Sequence, residues 1–193
     1  MDPLQRFAGL LETARTTPGI IDATAMTLAT VSPEGRPSAR ILLLKSVDPE
    51  GLVFYTNHRS RKGREILAHP DVAMVFYWPP LEVQVRFEGP AVPVPAADAD
   101  TYFASRARGS QLGAWASHQS DELSSRAELE ARLAEVTARY QGRDVPRPQH
   151  WSGFRLAPLV VEFWKGQPSR LHERELFTRA APGVAWTMRL LNP

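Results

Sequence analysis

The chain has 193 residues, of which 43% are hydrophobic and 23% charged, and its formal net charge is +2. This balance fits a globular, cytoplasmic protein with a sizeable core, and we expect no secretory signal, no membrane span and no nucleic-acid partner. The absence of cysteine excludes disulfides, thiolate catalysis and cysteine-ligated metal sites.

The first half of the chain alternates between helical spacing and short β-rich runs. Apolar residues at helical spacing predict a helix over 3–16, and a second, short helix is expected over 60–69, before Pro70. Runs of β-forming residues bounded by turns predict strands at 26–31, 38–47, 52–56, 72–78 and 81–94.

The second half predicts two more helices followed by strands. The helices are expected at 96–107 and 121–140, and a polar linker follows at 142–149. Strands are expected at 154–164, 170–178 and 185–190. About seven strands with short connections predict a mainly β protein, an antiparallel barrel with helices attached.

Residues 170–174 read Arg-Leu-His-Glu-Arg, and strand alternation would place Arg170, His172 and Arg174 on one face. Such a row of cations is tolerated where an anion or an electron-rich ring lies opposite. The alternative is a solvated basic strand edge.

Two other basic segments suit anionic ligands. Arg61 and Lys62 stand at a predicted helix start, where free N–H groups favour a phosphate, although an ordinary basic loop is the alternative. Arg40 and Lys45 end an apolar strand, and their odd spacing sends them to opposite faces. Either they serve different partners, or a bend brings them together.

A third group could form a second phosphate site. Tyr102 and Arg106 are spaced i, i+4, and Ser110 follows, although simple surface packing is the alternative. Gln84 lies on the polar face of its strand, where an amide could bind a ring edge such as that of a flavin. The five histidines have no close metal-ligand spacing, so no metal is expected.

Ordered segments of the chain resemble the pyridoxamine 5'-phosphate oxidase family. They are RILLLK (40–45), FYTNHRSRKG (54–63), FYW (76–78), QVRFEG (84–89), YFASR (102–106), SQLGAWASHQS (110–120), EFWKG (162–166) and RLHER (170–174). The resemblance implies a Greek-key-like split β-barrel that forms a homodimer with FMN at the subunit interface. It implies one FMN-binding domain over 1–193, with an N-terminal helix in 1–20, a peripheral helix in 121–141 and C-terminal strands in 150–193 that complete the site.

The implied reaction oxidises pyridoxamine or pyridoxine 5'-phosphate to pyridoxal 5'-phosphate. A hydride passes from the substrate C4' carbon to flavin N5, and O2 reoxidises the flavin to give H2O2, with ammonia released from the amine substrate. The flavin carries the redox chemistry, and the protein supplies position and field.

Site roles are implied by position in the same segments. The residues implied to contact FMN are Arg40, Ile41, Leu42, Leu43, Leu44, Lys45, Tyr55, Thr56, Arg61, Lys62, Gln84, Gln119, Ser120, Trp164 and Arg174. The substrate phosphate would be held by Lys45, Tyr102, Arg106 and Ser110. Arg170 and His172 would cover the substrate ring as the catalytic pair.

One departure affects the choice of substrate. Glu82 stands two residues before Gln84, where the family more often has arginine, so a charge near the expected flavin site is reversed. Two alternatives therefore stay open: a related flavin oxidase of another heterocycle, of the phenazine-biosynthesis type, and a non-catalytic protein that binds flavin or a B6 phosphate.

Overall fold

The computed structural model describes residues 2–193, which form ten antiparallel strands and five α-helices. The strands are β1 (Ala25–Val31), β2 (Pro37–Leu43), β3 (Ser46–Asp48), β4 (Gly51–Asn57), β5 (Asp71–Trp78), β6 (Val83–Pro93), β7 (Trp151–Leu156), β8 (Val160–Lys165), β9 (Glu173–Thr178) and β10 (Thr187–Leu190). The helices are α1 (Pro3–Thr16), α2 (Arg61–Ala68), α3 (Ala96–Ser105), α4 (Arg108–Ala116) and α5 (Arg126–Arg139). The mainly β, antiparallel class predicted from the sequence is confirmed.

Strand β6 belongs to two sheets and so shapes the barrel. Its first part pairs with β5 and β8 in the sheet ordered β10-β9-β8-β6-β5-β1-β2, and its last part, Ala91–Pro93, pairs with β7. Strand β4 lies between β3 and β7 in the second sheet. On the other side, Leu44 N donates to Thr24 O and Lys45 N to Val53 O, both at 2.9 Å, which joins the two sheets again.

Two glycines let the chain pass closely where β7 turns into β8. A methyl group on Gly89 would lie 2.6 Å from the carbonyl oxygen of Ala157, and one on Gly51 would lie 1.9 Å from that of Leu156. Gly89 stands where β6 changes partner from β8 to β7. No side chain fits at such a distance, so glycine is required at both positions.

The barrel interior is filled by alternating inward residues and by helix α1. Phe7 of α1 is fully buried, and its ring centroid lies 4.8 Å from those of both Phe76 and Phe87. Burial of each such ring contributes about 1.5–3 kcal/mol. Asp2 caps α1 by accepting a hydrogen bond from Leu4 N, as expected for a helix that begins at Pro3. The predicted bounds of this helix, 3–16, are confirmed.

A second apolar cluster fixes the outer helices. Phe103 of α3, Leu112 of α4 and Val136 of α5 pack with Trp151 at the start of β7. Within α5, Val136 is the buried residue, and Leu133 remains 39% exposed. Within residues 2–193, no helix is long and apolar enough to cross a bilayer.

Several predicted boundaries were wrong. The strand expected at 38–47 is interrupted at Leu44 and Lys45, where the chain crosses between sheets, and the one expected at 154–164 is two strands separated by Ala157–Leu159. The helix expected at 96–107 ends at Ser105 and is followed directly by α4, which was not predicted. The helix expected at 121–140 begins only at Arg126, after its cap residue Ser125.

Candidate functional site

The largest cluster of expected site residues surrounds one open pocket of about 670 Å³ between β2, β4 and helices α3 and α4. The expected residues that line it are Leu42, Leu43, Lys45, Tyr55, Thr56, Tyr102, Arg106, Ser110 and Gln119. The pocket therefore contains all four residues expected to hold a substrate phosphate and six of those expected to contact FMN, with Lys45 in both sets.

Lys45 reaches this pocket because the chain bends. Leu44 is 3% exposed and points into the core, so the next residue, Lys45, faces outward into the pocket after β2 has ended. Arg40, still within β2, instead points towards α2 and pairs with Glu65. Of the two possibilities left open by the odd spacing, the first holds: the two cations serve different neighbours, and the bend after β2 does not bring them together.

Arg106 is held by aromatic rings rather than by a regular helix face. It is the residue after α3, with extended backbone, and its guanidinium carbon lies 4.6 Å from the Trp151 ring centroid. Its Nη1 atom is buried and has no hydrogen-bond partner within residues 2–193. A buried guanidinium N–H without a partner favours an anionic ligand.

Three stacked rings support the same wall. The Tyr55 ring lies 4.1 Å from Tyr102 and 5.4 Å from Trp151, at interplanar angles of 13° and 3°. Gly153 leaves the space that the Tyr55 ring occupies, since a methyl group there would lie 2.7 Å from Tyr55 Cδ1. The expected cofactor residue Tyr55 and the expected substrate residue Tyr102 are thus in direct contact.

Lys62 lies beside the pocket as a buried cation with neutral partners. Its Nζ donates to Gln119 Oε1 at 3.0 Å and to Thr56 Oγ1 and Ser60 Oγ at 3.3 Å. Burial, and secondarily the charge of Arg40, lowers the Lys62 pKa to about 8. A buried ammonium with only neutral acceptors would be stabilised by a bound anion.

The start of helix α2 adds a favourable dipole. Ser60 caps the helix, accepting from Gly63 N, and Arg61 and Lys62 occupy its first turn. Cations at a helix N-terminus oppose the helix macrodipole. A phosphate placed there is stabilised by the cations and by the macrodipole. The helix start expected near residue 60 is present, and a phosphate at 60–63 stays a prediction.

Glu65 links this helix to the β1–β2 hairpin. Its carboxylate pairs with Arg61 Nε at 2.8 Å and with Arg40 Nη2 at 3.4 Å. It also accepts from Thr30 Oγ1 and Ser38 Oγ. Two of the three arginines expected to contact FMN, Arg40 and Arg61, are therefore joined through one buried carboxylate.

Another group of expected residues lies on the far part of the sheet. Gln84, Trp164 and Arg174 are paired directly across β6, β8 and β9 and so share one face. Arg174 donates through Nε to Glu162 Oε1 at 2.8 Å, and Arg86 lies 3.2 Å from Glu162 Oε2. None of these residues lines the pocket beside Lys45.

The strand expected from residue 170 was wrong over its first three residues, so strand alternation does not set the row of Arg170, His172 and Arg174. Pro168–Arg170 forms a 3-10 turn in which Ser169 and Arg170 have φ values of +58° and +62°, and β9 begins only at Glu173. Alternation therefore does not place Arg170 and His172 on the face of Arg174. His172 is instead held by the Trp164 ring at 4.5 Å and by Gln167 N, which donates to its Nδ1 at 3.1 Å.

The remaining expected residues are dispersed. Ile41 is 63% exposed, whereas Leu44 is in the core. Ser120 is exposed with φ of +77°, next to Gln119, and Arg170 is exposed.

Sequence reasoning missed three residues that hold the site together: Glu65, Trp151 and Glu162. Glu65 stands four residues after Arg61, a spacing that does indicate a pair on a helix. Nothing in the local sequence signals that Glu65 or Glu162 is buried at 4% and 2% exposure.

Comparison with known proteins identifies the family. The family model for pyridoxamine 5'-phosphate oxidase matches residues 13–140. The family model for the pyridoxine 5'-phosphate oxidase C-terminal dimerisation region matches residues 151–193. The pyridoxine/pyridoxamine 5'-phosphate oxidase of Myxococcus xanthus is 57% identical over 192 residues, covering 100% of this chain and 92% of the relative. That of Rubrobacter xylanophilus is 52% identical, covering 100% and 87%.

Solved structures agree with the fold. PhzG from Burkholderia lata, in complex with tetrahydrophenazine-1-carboxylic acid, aligns with a TM-score of 0.87 at 35% identity, over 98% of this chain and 90% of that one. A pyridoxamine 5'-phosphate oxidase-related, FMN-binding protein from Nostoc punctiforme aligns with a TM-score of 0.76 at 21% identity, over 98% and 96%. The split-barrel expectation is confirmed.

FMN is the cofactor, and the residues present fit it. The start of α2 suits the FMN phosphate, because it carries Arg61 and the ammonium of Lys62, whose hydrogen-bond partners are neutral. The row of Gln84, Trp164 and Arg174 offers hydrogen-bond donors and an aromatic ring to the isoalloxazine ring. The C-terminal dimerisation region indicates a homodimer. The chain therefore belongs to the pyridoxamine 5'-phosphate oxidase family of FMN-dependent split-barrel oxidoreductases.

Proposed function

We propose that this protein oxidises pyridoxamine 5'-phosphate and pyridoxine 5'-phosphate to pyridoxal 5'-phosphate, with O2 as the electron acceptor. The products would include H2O2 and, from the amine substrate, ammonia. The observation that carries the proposal is the convergence of Lys45, Tyr102, Arg106 and Ser110 on one pocket.

The four residues form a phosphate site in chemical terms. Two cations, a phenol and a hydroxyl supply charge and hydrogen-bond donors, and Arg106 keeps a buried N–H unpaired. Stacking on Tyr55 and Trp151 fixes Tyr102 and Arg106 before any ligand arrives. Such preorganisation reduces the entropy lost on binding.

FMN, when bound, would accept the two electrons of the oxidation and pass them to O2. The protein's part is to hold the substrate carbon against the flavin and to exclude competing water. Arg170 and His172 are proposed to cover the substrate ring. They lie on the turn before β9, not on a regular strand.

His172 is proposed to act as a hydrogen-bond donor. Gln167 N donates to its Nδ1, so the proton of the neutral ring is on Nε2. Nε2 can then donate to an oxygen or nitrogen of the substrate but cannot accept a proton from it. We therefore assign His172 an orienting role and not that of a general base.

A second copy of the chain is proposed to complete each site. Gln84, Trp164 and Arg174 lie across β6, β8 and β9, away from the pocket, and the dimerisation region spans residues 151–193. Placed against the partner's pocket, the strands of 150–193 would supply the missing flavin contacts. FMN would then lie at the subunit interface.

The test is anaerobic flavin reduction. Purified protein loaded with FMN should lose its flavin absorbance on addition of pyridoxamine 5'-phosphate and release pyridoxal 5'-phosphate and H2O2 when air is admitted. A flavin that stays oxidised with both B6 phosphates would refute the proposal and leave a binding protein or an oxidase of another heterocycle.

A second candidate is oxidation of another heterocycle, favoured by the similarity to PhzG, which was solved with tetrahydrophenazine-1-carboxylic acid. Such a substrate carries no phosphate, so the double variant Tyr102→Phe/Arg106→Ala should leave its oxidation intact. The same variant should raise KM for pyridoxamine 5'-phosphate by about 100-fold, the loss expected for two charge-assisted contacts. Parallel assays with both substrates decide between the two.

A further inference from the structure

We propose that Glu65 is a positioning residue that sets recognition of the FMN phosphate, through its hold on Arg40 and Arg61. The inference deepens the proposed site, since it rests on those two arginines and Lys62 facing the phosphate. Glu65 itself would not touch the cofactor.

The carboxylate has a partner on each oxygen. Oε1 accepts from Arg61 Nε at 2.8 Å, whereas Oε2 accepts from Thr30 Oγ1 at 2.5 Å, from Ser38 Oγ at 2.8 Å and from Arg40 Nη2 at 3.4 Å. The side chain is only 5% exposed. Its partners come from β1, β2 and α2, so Glu65 fixes these three elements relative to one another.

The charge on Glu65 is permanent. Burial alone would raise its pKa, but hydrogen bonds from Thr30, Arg61 and Ser38 outweigh that effect and lower the pKa to about 2. At any physiological pH the group is therefore a carboxylate, and a buried carboxylate orients the cations around it strongly.

The two arginines are held in different ways. Arg40 donates to Thr30 Oγ1 through Nη1 and to Ser38 Oγ through Nη2, so its guanidinium plane is fixed on the hairpin. Arg61 uses only Nε for Glu65, and within residues 2–193 its Nη atoms have no hydrogen-bond partner. Its side chain is 57% exposed, so the Nη groups are accessible to a ligand.

Charge matching favours a phosphate monoester as that ligand. The three cations Arg40, Arg61 and Lys62, with the single carboxylate of Glu65, leave two net positive charges. A phosphate monoester carries about −1.5 to −2 at neutral pH. Without Glu65 the site would carry more positive charge but would hold both arginines less firmly.

The experiment compares FMN with riboflavin, which lacks the phosphate. Apoprotein of Glu65→Gln, a change of nearly equal shape, is titrated with each flavin while flavin fluorescence is followed. We expect the Kd for FMN to rise by about ten-fold or more, the effect of losing a charge-assisted contact, and the Kd for riboflavin to stay unchanged. Glu130→Gln is the matched control, because Glu130 pairs only with Arg126 on the exposed face of α5.

Two outcomes would overturn the proposal. Equal or tighter FMN binding by Glu65→Gln would show that the carboxylate only offsets charge, and equal weakening for both flavins would show a role in folding alone. Should that variant not fold, Ser38→Ala keeps the charge and removes one donor to Glu65 and one acceptor from Arg40. It must then show the same selective loss for FMN, in smaller degree, or the proposal fails.

The test is independent of the substrate. Neither titration contains a B6 phosphate, so failure of the proposed oxidase reaction would leave the result for Glu65 intact. Conversely, an unchanged FMN affinity in Glu65→Gln would not affect the assignment of the pocket beside Lys45.

Discussion

Two buried glutamates, Glu65 and Glu162, each bridge a pair of arginines, but they do so in different structural settings. Glu65 joins helix α2 to a hairpin and leaves Arg61 largely exposed, with free donors. Glu162 lies on β8 within the sheet, and its side chain is 3% exposed. It lies between Arg86 and Arg174, which belong to the strands on either side, β6 and β9. The first setting suits a tetrahedral anion at a helix end, and the second a flat ring lying along strands.

The difference shows that a buried carboxylate can position a cation for a ligand or fix a cation within a sheet. In the helix setting, the carboxylate holds Arg61 through Nε alone and leaves its Nη groups for a ligand. In the sheet setting, Arg174 is fixed by Glu162, by the carbonyl oxygen of Asn192 and by its place in β9. We therefore expect loss of Glu162 to affect stability and loss of Glu65 to affect ligand selectivity.

The largest effect is expected for Glu162→Gln. The substitution removes two charge-assisted contacts of a buried carboxylate, to Arg174 and to Arg86, so the free energy of unfolding of the apoprotein should fall by about 3 kcal/mol. Urea unfolding measures it, with Glu130→Gln as the exposed control. A loss no larger than that of the control would break the comparison, because Glu162 would then have no structural role.

Arg170→Ala tests a cation that pairs with neither Glu65 nor Glu162. Arg170 is exposed on the turn before β9, and we expect it to orient the substrate ring. Turnover of pyridoxamine 5'-phosphate should fall by about 100-fold, since small errors of position at the reacting atoms have effects of this size. The Kd for FMN, measured by fluorescence, should change little. If the variant instead released its flavin and kept turnover after reconstitution, Arg170 would belong with Arg174 as a cofactor residue.

Lys62 should give FMN affinity a dependence on pH, and the residues around Glu162 should not. Because its pKa in the free protein is lowered to about 8, the ammonium loses its proton above that pH, and a phosphate then binds less well. The Kd for FMN should rise by up to about ten-fold per pH unit above pH 8, while riboflavin binding stays flat. In Lys62→Met the rise should disappear, and its persistence would exclude Lys62 as the titrating group.

The same group affects stability with the opposite sign. An unfolded Lys62 keeps its proton up to its ordinary pKa of 10.5, whereas the folded one releases it from about 8. Between these values the unfolded chain binds more protons, so stability of the apoprotein from this group rises with pH. Thermal unfolding across this pH window checks the sign: the rise in stability should be present in the wild type and absent in Lys62→Met.

Local patterns in the sequence predicted the strands and most of the helices, because period and turn chemistry are local properties. They failed at Arg170 and His172, where Pro168 and two positive φ values replace a strand by a turn. They also failed to show burial: Glu65 has the spacing of an ordinary surface pair with Arg61, and only the packing of the hairpin over α2 buries it. The convergence of Lys45 with Arg106 required the tertiary fold.

The close passage of the chain at Gly51 and Gly89 limits how this protein can be modified. Backbone atoms of Leu156 and Ala157 fill the space that side chains at these glycines would need. We expect the connection Ala157–Leu159 to reject inserted tags, linkers and new chain termini. The turn at Gly142 lies outside the dimerisation region of 151–193, and a methyl group there would meet no atom within 4 Å, so it is the better place for a fluorescent label or a circular permutation.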